Sequence, residues 1–288
     1  MNTNMILILI IAAIFHSTWN TLVKKSEDKQ VFTWLALVAF SIIFFIPFCF
    51  IMKPVSMQGW IFMLLSGSLE AMYFFLLASA YKYGDLSLVY PLSRGLAPVF
   101  VVIIATVFLK EAISVTGAVG ILSIVIGIYI IHLRVLSLKG LLEPFAYMKQ
   151  TASKLAILTG VTTGLYSTVD KTALNYVDNT MLLYMKFLTA SILLLPFMMS
   201  KKRRLIKVEW KNSKLKIIIV ALLLSSAYFL VLIAMASSKV SYTSAVREVS
   251  IVFASIIGTV YLKEKFAVKK MIGTLFIFIG IVFIAVSK

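Results

Sequence analysis

The sequence is poor in charged residues and in the residues that bind metals. Only 14% of its 288 residues are charged, against about 25% in soluble domains, while 61% are hydrophobic. So large an apolar excess has no soluble core to fill, which excludes an ordinary soluble protein. The single cysteine, Cys49, excludes a disulfide framework and a thiolate metal site. The two histidines, His16 and His132, are too far apart to suggest a metal-ligand pair, so we expect no metal and no cofactor.

The motifs of several enzyme classes are also missing. The sequence contains no GxxxxGK[ST], GxSxG or HExxH pattern, so we expect neither P-loop ATP hydrolysis nor enzymatic activity. The net charge of +17 does not indicate nucleic acid, because the lysines and arginines lie mostly between apolar runs. That distribution is typical of topogenic signals and of contacts with lipid headgroups.

The sequence is instead rich in apolar runs of about the length that spans a bilayer. Ten such runs predict an all-α membrane protein with ten transmembrane helices: 5–23, 32–52, 59–81, 86–109, 115–133, 155–173, 180–199, 215–236, 241–262 and 268–286. The first run lacks a basic leader and a clear cleavage site, so we expect a retained helix.

One stretch occurs twice. Residues 94–130 recur without a gap as 247–283, always 153 positions later, and 17 of the 37 aligned residues are identical. The identities include an arginine, a Leu-Lys-Glu triplet and two glycines in each copy, so shared hydrophobicity does not explain them. We expect the recurring glycines to serve helix packing.

The repeat divides the chain into two halves of five helices each. We predict a first repeat at 1–133, a linker at 134–154 and a second repeat at 155–288. Because five is odd, the second repeat enters the membrane in the opposite sense, which gives an inverted repeat. The equivalent loops 53–58 and 200–214 carry one and seven basic residues. The positive-inside rule then predicts a multi-pass protein of the cell membrane, with 200–214 in the cytoplasm and both termini outside.

The chain resembles the ten-helix, two-repeat members of the drug/metabolite transporter superfamily, which have EamA-type domains. The resemblance covers nearly the whole chain and rests on these stretches: Trp19-Asn20 with Lys24, 80–83, Pro98-Val99-Phe100, 109–111, Lys186-Phe187 and 262–264. Family members usually have a glycine before the glutamate of the triplet, where this chain has Lys110 and Lys263. The resemblance implies a secondary transporter that moves small metabolites, commonly outward.

Two arginines inside apolar runs are the main candidates for substrate binding. Ionised groups at membrane depth cost several kcal/mol and are usually functional. Arg94 and its repeat equivalent Arg247 each present a planar fork of donors that suits a carboxylate or phosphate. Pro91, Gly95 and Pro98 predict a broken helix around Arg94, and such breaks are where transporters bind substrate. The alternative is that each arginine belongs to a structural ion pair, for which Glu70 is a possible partner.

Other polar and aromatic residues in the runs complete the candidate site. Carboxylates and a histidine there could carry a coupling proton: Glu70, Glu248 and His16. Side chains with a polar tip could line a cavity with the arginines: Trp19, Asn20, Tyr73, Tyr90, Tyr166 and Tyr228. Asp170, Lys171 and Lys24 lie near the ends of their runs and are expected to extend towards the membrane surface.

These observations favour a secondary transporter in the lipid bilayer. The expected substrate is a small zwitterionic or anionic metabolite, such as an amino acid, that binds at mid-membrane between the repeats and is exported by alternating access. A translocator of lipids or lipid precursors is the alternative, because arginines also bind headgroup phosphates. An intramembrane enzyme or an accessory subunit is a third possibility, but the sequence offers no nucleophile-base pair.

Overall fold

The computed structural model describes residues 1–83, 86–133, 149–261 and 268–287. All regular elements within these ranges are α-helices: α1 (Thr3–Lys24), α2 (Lys29–Ile43), α3 (Phe45–Ile51), α4 (Met57–Tyr83), α5 (Leu86–Phe108), α6 (Val115–His132), α7 (Thr151–Ala173), α8 (Asn179–Lys201), α9 (Arg203–Ser237), α10 (Val240–Arg247), α11 (Ser250–Tyr261) and α12 (Val268–Val286). The predicted linker 134–154 lies largely outside the described ranges.

Each predicted apolar run overlaps one helix or a broken pair of helices. In the described ranges, α1, α4, α8 and α9 are long and apolar enough to cross a membrane, and α2 with α3 qualifies as a fifth span if the 50° bend between them is accepted. Three shorter apolar helices lie within α5, α6 and α12.

The basic segment 200–214 is not the loop that the sequence predicted. Residues from Arg203 onward are helical, and α9 contains a break at Ser213, where φ is −135° and ψ is 15°. The exposed positions before the break are mainly basic, while Glu209 is buried. This amphipathic pattern stabilises the segment as a helix packed against the protein.

Two aspartates begin equivalent helices of the two halves. The Asp28 side chain accepts hydrogen bonds from the backbone N–H groups of Gln30 and Val31, both at 3.0 Å, and caps α2. Asp178 accepts from the N–H of Met181 at 2.9 Å and caps α8. Each carboxylate satisfies N–H groups that have no partner within the helix.

The two halves interlock rather than lie side by side. Helix α4 of the first half packs against α7 and α8 of the second, and α9 of the second half packs against α1 and α2 of the first. The buried core is therefore shared, and any cavity at its centre is lined by both halves.

The equivalent helices α6 and α12 cross in opposite directions at four glycines. A Cβ atom added at Gly120 would lie 2.8 Å from the carbonyl oxygen of Gly280, and one at Gly127 would lie 2.5 Å from that of Gly273. Between these contacts, Ser123 Oγ donates to the carbonyl of Phe276, its own repeat equivalent, at 2.7 Å. The glycines therefore serve close helix packing, as predicted.

The expected helix break at Arg94 is absent, and a break occurs in the second copy instead. Helix α5 continues from Leu86 to Phe108, since membrane helices tolerate proline where neighbouring groups satisfy the freed carbonyls. In the second copy, α10 ends at Arg247 and α11 begins at Ser250. The N–H groups of Glu248 and Val249 there bond three residues back, at 3.1 Å each, which tightens the turn.

Candidate functional site

A cavity of about 820 Å³ lies between the two halves. Its lining includes the exposed side chains of Lys24 and Lys29, so it reaches the end of the bundle where α1 ends and α2 begins. Most of the candidate residues from the sequence line it: His16, Trp19, Asn20, Glu70, Tyr73, Arg94, Tyr166, Tyr228 and Arg247. Glu248 is buried beside the cavity, and the Tyr90 side chain lies outside the described part of the structure.

Arg94 is bound to protein groups from two other helices. Its Nη2 lies 2.9 Å from Nε2 of His16, and its Nη1 lies 3.6 Å from Oε1 of Glu248. Because a guanidinium has no acceptor, Nε2 of His16 must accept, so the proton of a neutral imidazole lies on Nδ1. A second proton on His16 would face the guanidinium, which makes this histidine poorly suited to carry a coupling proton.

Arg247 is buried and incompletely paired. It is 6% exposed and lines the cavity at the end of α10. Within the described residues its Nε and Nη2 atoms have no hydrogen-bond partner. Its sequence neighbour Glu248 has its ion pair with Arg94 instead, as the 100° rotation between adjacent helical residues allows. The two equivalent arginines therefore differ: Arg94 contacts His16 and Glu248, and Arg247 has two donors without a partner among the described residues.

A fully buried lysine forms the second charged group of the site. Lys186 is 0% exposed, and its Nζ lies 2.7 Å from Asp170 Oδ2 and 3.1 Å from Glu70 Oε2. Nζ also donates to the Tyr228 hydroxyl at 2.8 Å. We name Lys186, Asp170, Glu70 and Tyr228 the lysine cluster. It joins α4 of the first half to α7, α8 and α9 of the second.

The remaining contacts of the lysine cluster hold Asp170 in place. Its carboxylate accepts hydrogen bonds from the hydroxyls of Ser66 and Tyr228. The ammonium of Lys186 also lies over the rings of Tyr166 and Tyr228, at 4.1 and 4.3 Å from their centroids. Such cation–π contacts, with the two carboxylates, stabilise a charge that has no access to water.

The lysine cluster corrects two expectations drawn from the sequence. Glu70 pairs with Lys186 and not with an arginine. Asp170 does not extend to the membrane surface but is 0% exposed, because α4 packs against α7 and Lys186 and Tyr228 contact its carboxylate. Lys171, next in sequence, points elsewhere and donates to the carbonyls of Met235 and Ser238 at the end of α9. The charge of Lys186 within an apolar run was the signal for the cluster, but nothing in the sequence identified its partners.

Aromatic side chains form much of the remaining wall. Trp19 contacts the His16 ring edge-to-face at 5.0 Å, and its buried Nε1 has no hydrogen-bond partner among the described residues. Asn20 donates to the carbonyl of His16 at 2.7 Å, which occupies its amide within α1. Tyr73 and Tyr166 meet edge-to-face at 5.9 Å across the two halves. The cavity thus combines apolar walls with a few buried charges, as small-molecule sites do.

Comparison with known proteins agrees with this architecture. The model of the EamA-like transporter family matches residues 3–133 and again residues 150–286. A solved crystal structure with 14% sequence identity superposes with a TM-score of 0.78, covering 98% of this chain and 96% of its own, which shows a common fold. Among curated proteins none matches the chain. With two family matches that together span nearly its whole length, the chain belongs to the EamA-like transporter family, part of the drug/metabolite transporter superfamily, and is a membrane transporter.

Proposed function

We propose that this transporter exports a small zwitterionic or anionic metabolite that carries a carboxylate, as an amino acid does. The proposal rests on the Arg247 guanidinium in the cavity wall, with its Nε and Nη2 unpaired in the described part of the chain. These two atoms form one edge of the guanidinium, which can hold a carboxylate through two parallel N–H···O bonds. Leaving a buried donor unsatisfied costs about 1–3 kcal/mol, and more for a charged group, so a substrate carboxylate there would be strongly favoured.

The other charges of the site favour a zwitterion over a simple anion. Arg94 and Glu248 compensate each other. Lys186 carries one positive charge against the two negative charges of Asp170 and Glu70, which leaves the lysine cluster with one excess negative charge when both are ionised. Arg247 therefore attracts an anionic group, while Glu70 in the same cavity wall attracts an ammonium group.

We further propose that ten helices form two inverted repeats that alternate access to this cavity. The antiparallel crossing of α6 and α12 supports a twofold relation, as do the reciprocal contacts of α4 with α7 and α9 with α1. Lys202, at the start of the basic segment 200–214, pairs with Asp28 beside the mouth of the cavity. If that segment is cytoplasmic, the cavity faces the cytoplasm, and this is the state that loads a substrate for export.

Glu70 is our candidate for the coupling proton, ahead of Glu248 and His16. It comes from the first half, whereas its partner Lys186 comes from the second. Movement of the halves would separate the carboxylate from the ammonium, and a proton on Glu70 would then replace the lost charge compensation.

Transport by the purified protein in proteoliposomes tests the proposal. Amino acids and small organic anions are first screened for thermal stabilisation, and a stabilising compound is then followed in radiolabelled counterflow. We expect Arg247→Ala to abolish counterflow and Arg247→Lys to retain only a small part, because an ammonium lacks the planar fork. Lys207→Ala, which removes an exposed cation of α9 outside the cavity lining, is the matched control. Counterflow at the wild-type rate in Arg247→Ala would refute the assignment.

A further inference from the structure

The connection between α9 and α10 is bound by a carboxylate from the other half of the protein. Glu111 lies in the connection between α5 and α6. Its Oε1 accepts a hydrogen bond from the N–H of Val240 at 2.7 Å, and its Oε2 accepts from the N–H and Oγ of Ser241, at 3.2 and 2.6 Å. Glu111 thus satisfies the first N–H groups of α10 and places a negative charge at the positive end of its dipole.

Two lysines, one of them within the connection itself, add to this contact. Lys239 Nζ donates to the carbonyl of Ala112, the neighbour of Glu111, at 2.6 Å. Lys171 Nζ donates to the carbonyls of Met235 and Ser238, at 2.6 and 3.1 Å, and places a positive charge at the negative end of α9. We name Glu111, Lys171 and Lys239 the latch.

The backbone before Glu111 adopts an uncommon conformation. Lys110 has φ of 54°, in the left-handed region that favours glycine. The N–H of Glu111 then bonds back to the carbonyl of Ala105 at 3.3 Å. Lys110 therefore adopts a strained backbone conformation immediately before Glu111, the residue that contacts α10. Backbone strain of this kind is often found at functional positions.

Helix α10 connects the latch to the substrate site. It has eight residues, all of them buried, and spans about 12 Å from Val240 to Arg247. The lining of the cavity includes Arg247 but none of the latch residues. Helix α9 begins beside Asp28, with which Lys202 pairs, and ends at the latch, so the latch lies at the opposite end of α9 from Lys29.

We infer that Glu111 has two linked roles, which rest on the transport function proposed above. It is a positioning residue that seats α10 and hence Arg247, and it is the group whose release from Val240 and Ser241 opens the far end of the cavity. Lys239, within the connection, binds it to Ala112, and Lys171 binds it to α7, so we expect these contacts to break in the same movement.

Cysteine labelling tests this without requiring a known substrate. Ser244 lies within α10, is 2% exposed, and its hydroxyl has no partner among the described residues. In a Cys49→Ser background, Ser244→Cys reports access of a membrane-impermeant maleimide to α10. We expect Glu111→Ala to raise the labelling rate at least about tenfold, with a smaller rise for Glu111→Gln, which keeps one acceptor oxygen. Ser241→Ala, which removes one donor to Glu111, is expected to raise it a few-fold.

The control variant lies at the other end of the bundle. Glu27→Gln alters an exposed carboxylate there, whose contact is Asn212 at 3.3 Å, and is expected to leave the labelling rate unchanged. Labelling of both Glu111→Ala and Ser241→Ala at the parental rate would overturn the inference. If Glu111→Ala does not purify as a monodisperse protein, Ser241→Ala decides alone. Loss of transport in Arg247→Ala does not bear on this outcome, so the two proposals fail separately.

Discussion

The two copies of the repeated stretch place an arginine at the same position but give it different surroundings. Arg94 lies within the continuous helix α5, bound to His16 and close to Glu248. Arg247 lies at the end of α10, just before a break, with two donors unpaired in the described part of the chain. The difference lies at the break, where Glu248 forms its ion pair with Arg94 of the other half and not with its neighbour Arg247.

The two copies thus place an arginine at the same position of the repeated sequence but do not give it the same partners. Glu248 has no carboxylate equivalent in the first copy, which has Gly95 at that position. It pairs with Arg94, the arginine of the first copy. One arginine can then serve the fold while the other remains open to a substrate. The same asymmetry holds for Lys186, because the first half has Leu37 at the equivalent place.

Alanine substitution should separate the roles of the two arginines. We expect Arg247→Ala to abolish transport with little loss of thermal stability, because the ion pair of Glu248 with Arg94 remains. Arg94→Ala should instead destabilise the protein by about 3–5 kcal/mol, because Glu248 then remains buried and unpaired. Counterflow and thermal unfolding in detergent measure the two effects.

A double variant sharpens this contrast. Arg94→Ala with Glu248→Gln removes both charges, and it should recover most of the stability lost in the single variant. Equal destabilisation by Arg94→Ala and Arg247→Ala would mean that the two copies are not functionally distinct.

The lysine cluster allows a similar comparison with the first half. Lys186→Met leaves the buried carboxylates of Asp170 and Glu70 without a cation, and we expect a loss of about 3–5 kcal/mol in unfolding free energy. Leu37→Met, at the equivalent and equally buried position, should cost less than about 1.5 kcal/mol. The triple variant Lys186→Met, Asp170→Asn and Glu70→Gln should recover most of the stability lost in Lys186→Met, because no buried charge is then left unpaired. A melting temperature for Lys186→Met that matches that of Leu37→Met would contradict the cluster's structural role.

Glu70 tests whether the lysine cluster also couples transport to protons. We expect Glu70→Gln to keep substrate exchange at equal pH but to lose about tenfold or more of the accumulation driven by a pH gradient, since glutamine carries no exchangeable charge. The measurement is radiolabelled uptake into proteoliposomes with and without the gradient, with Glu27→Gln as the control. Unchanged gradient-driven accumulation in Glu70→Gln would remove Glu70 as the coupling residue.

The sequence predicted where the polar groups of the site are, but not how they pair. The apolar runs predicted the helices, and charges within them marked Glu70, Arg94 and Arg247, because a charge at membrane depth needs an internal environment. Partners depend on the rotation of each helix about its axis and on its neighbours. Apolar runs that are hydrophobic all round do not encode this, so the ion pair of Glu70 with Lys186 came only from the structure.

The helix break shows a second limit of sequence reasoning. Because of Pro91 and Pro98 we expected the helix to break near Arg94, yet α5 continues through both prolines. The break follows Arg247 instead, in a copy that has isoleucine where Pro98 stands. At that break the backbone N–H groups bond three residues back instead of four, and this is enough to end α10. No residue type in the sequence predicts it.

The smallest expected effect concerns two equivalent ion pairs of unequal quality. Lys202 contacts Asp28 at 2.6 Å, with both side chains 18% exposed, whereas Lys53 contacts Asp178 at 3.6 Å with side-chain exposures of 74% and 41%. Exposed pairs contribute about 0–1 kcal/mol, and the partly buried pair should lie at or slightly above that limit. We therefore expect Lys202→Ala to lower the melting temperature by a few degrees and Lys53→Ala to leave it unchanged. Because both variants keep the helix-capping aspartates, the difference between them reports the ion pairs alone, and equal shifts would show that the closer pair adds nothing to stability.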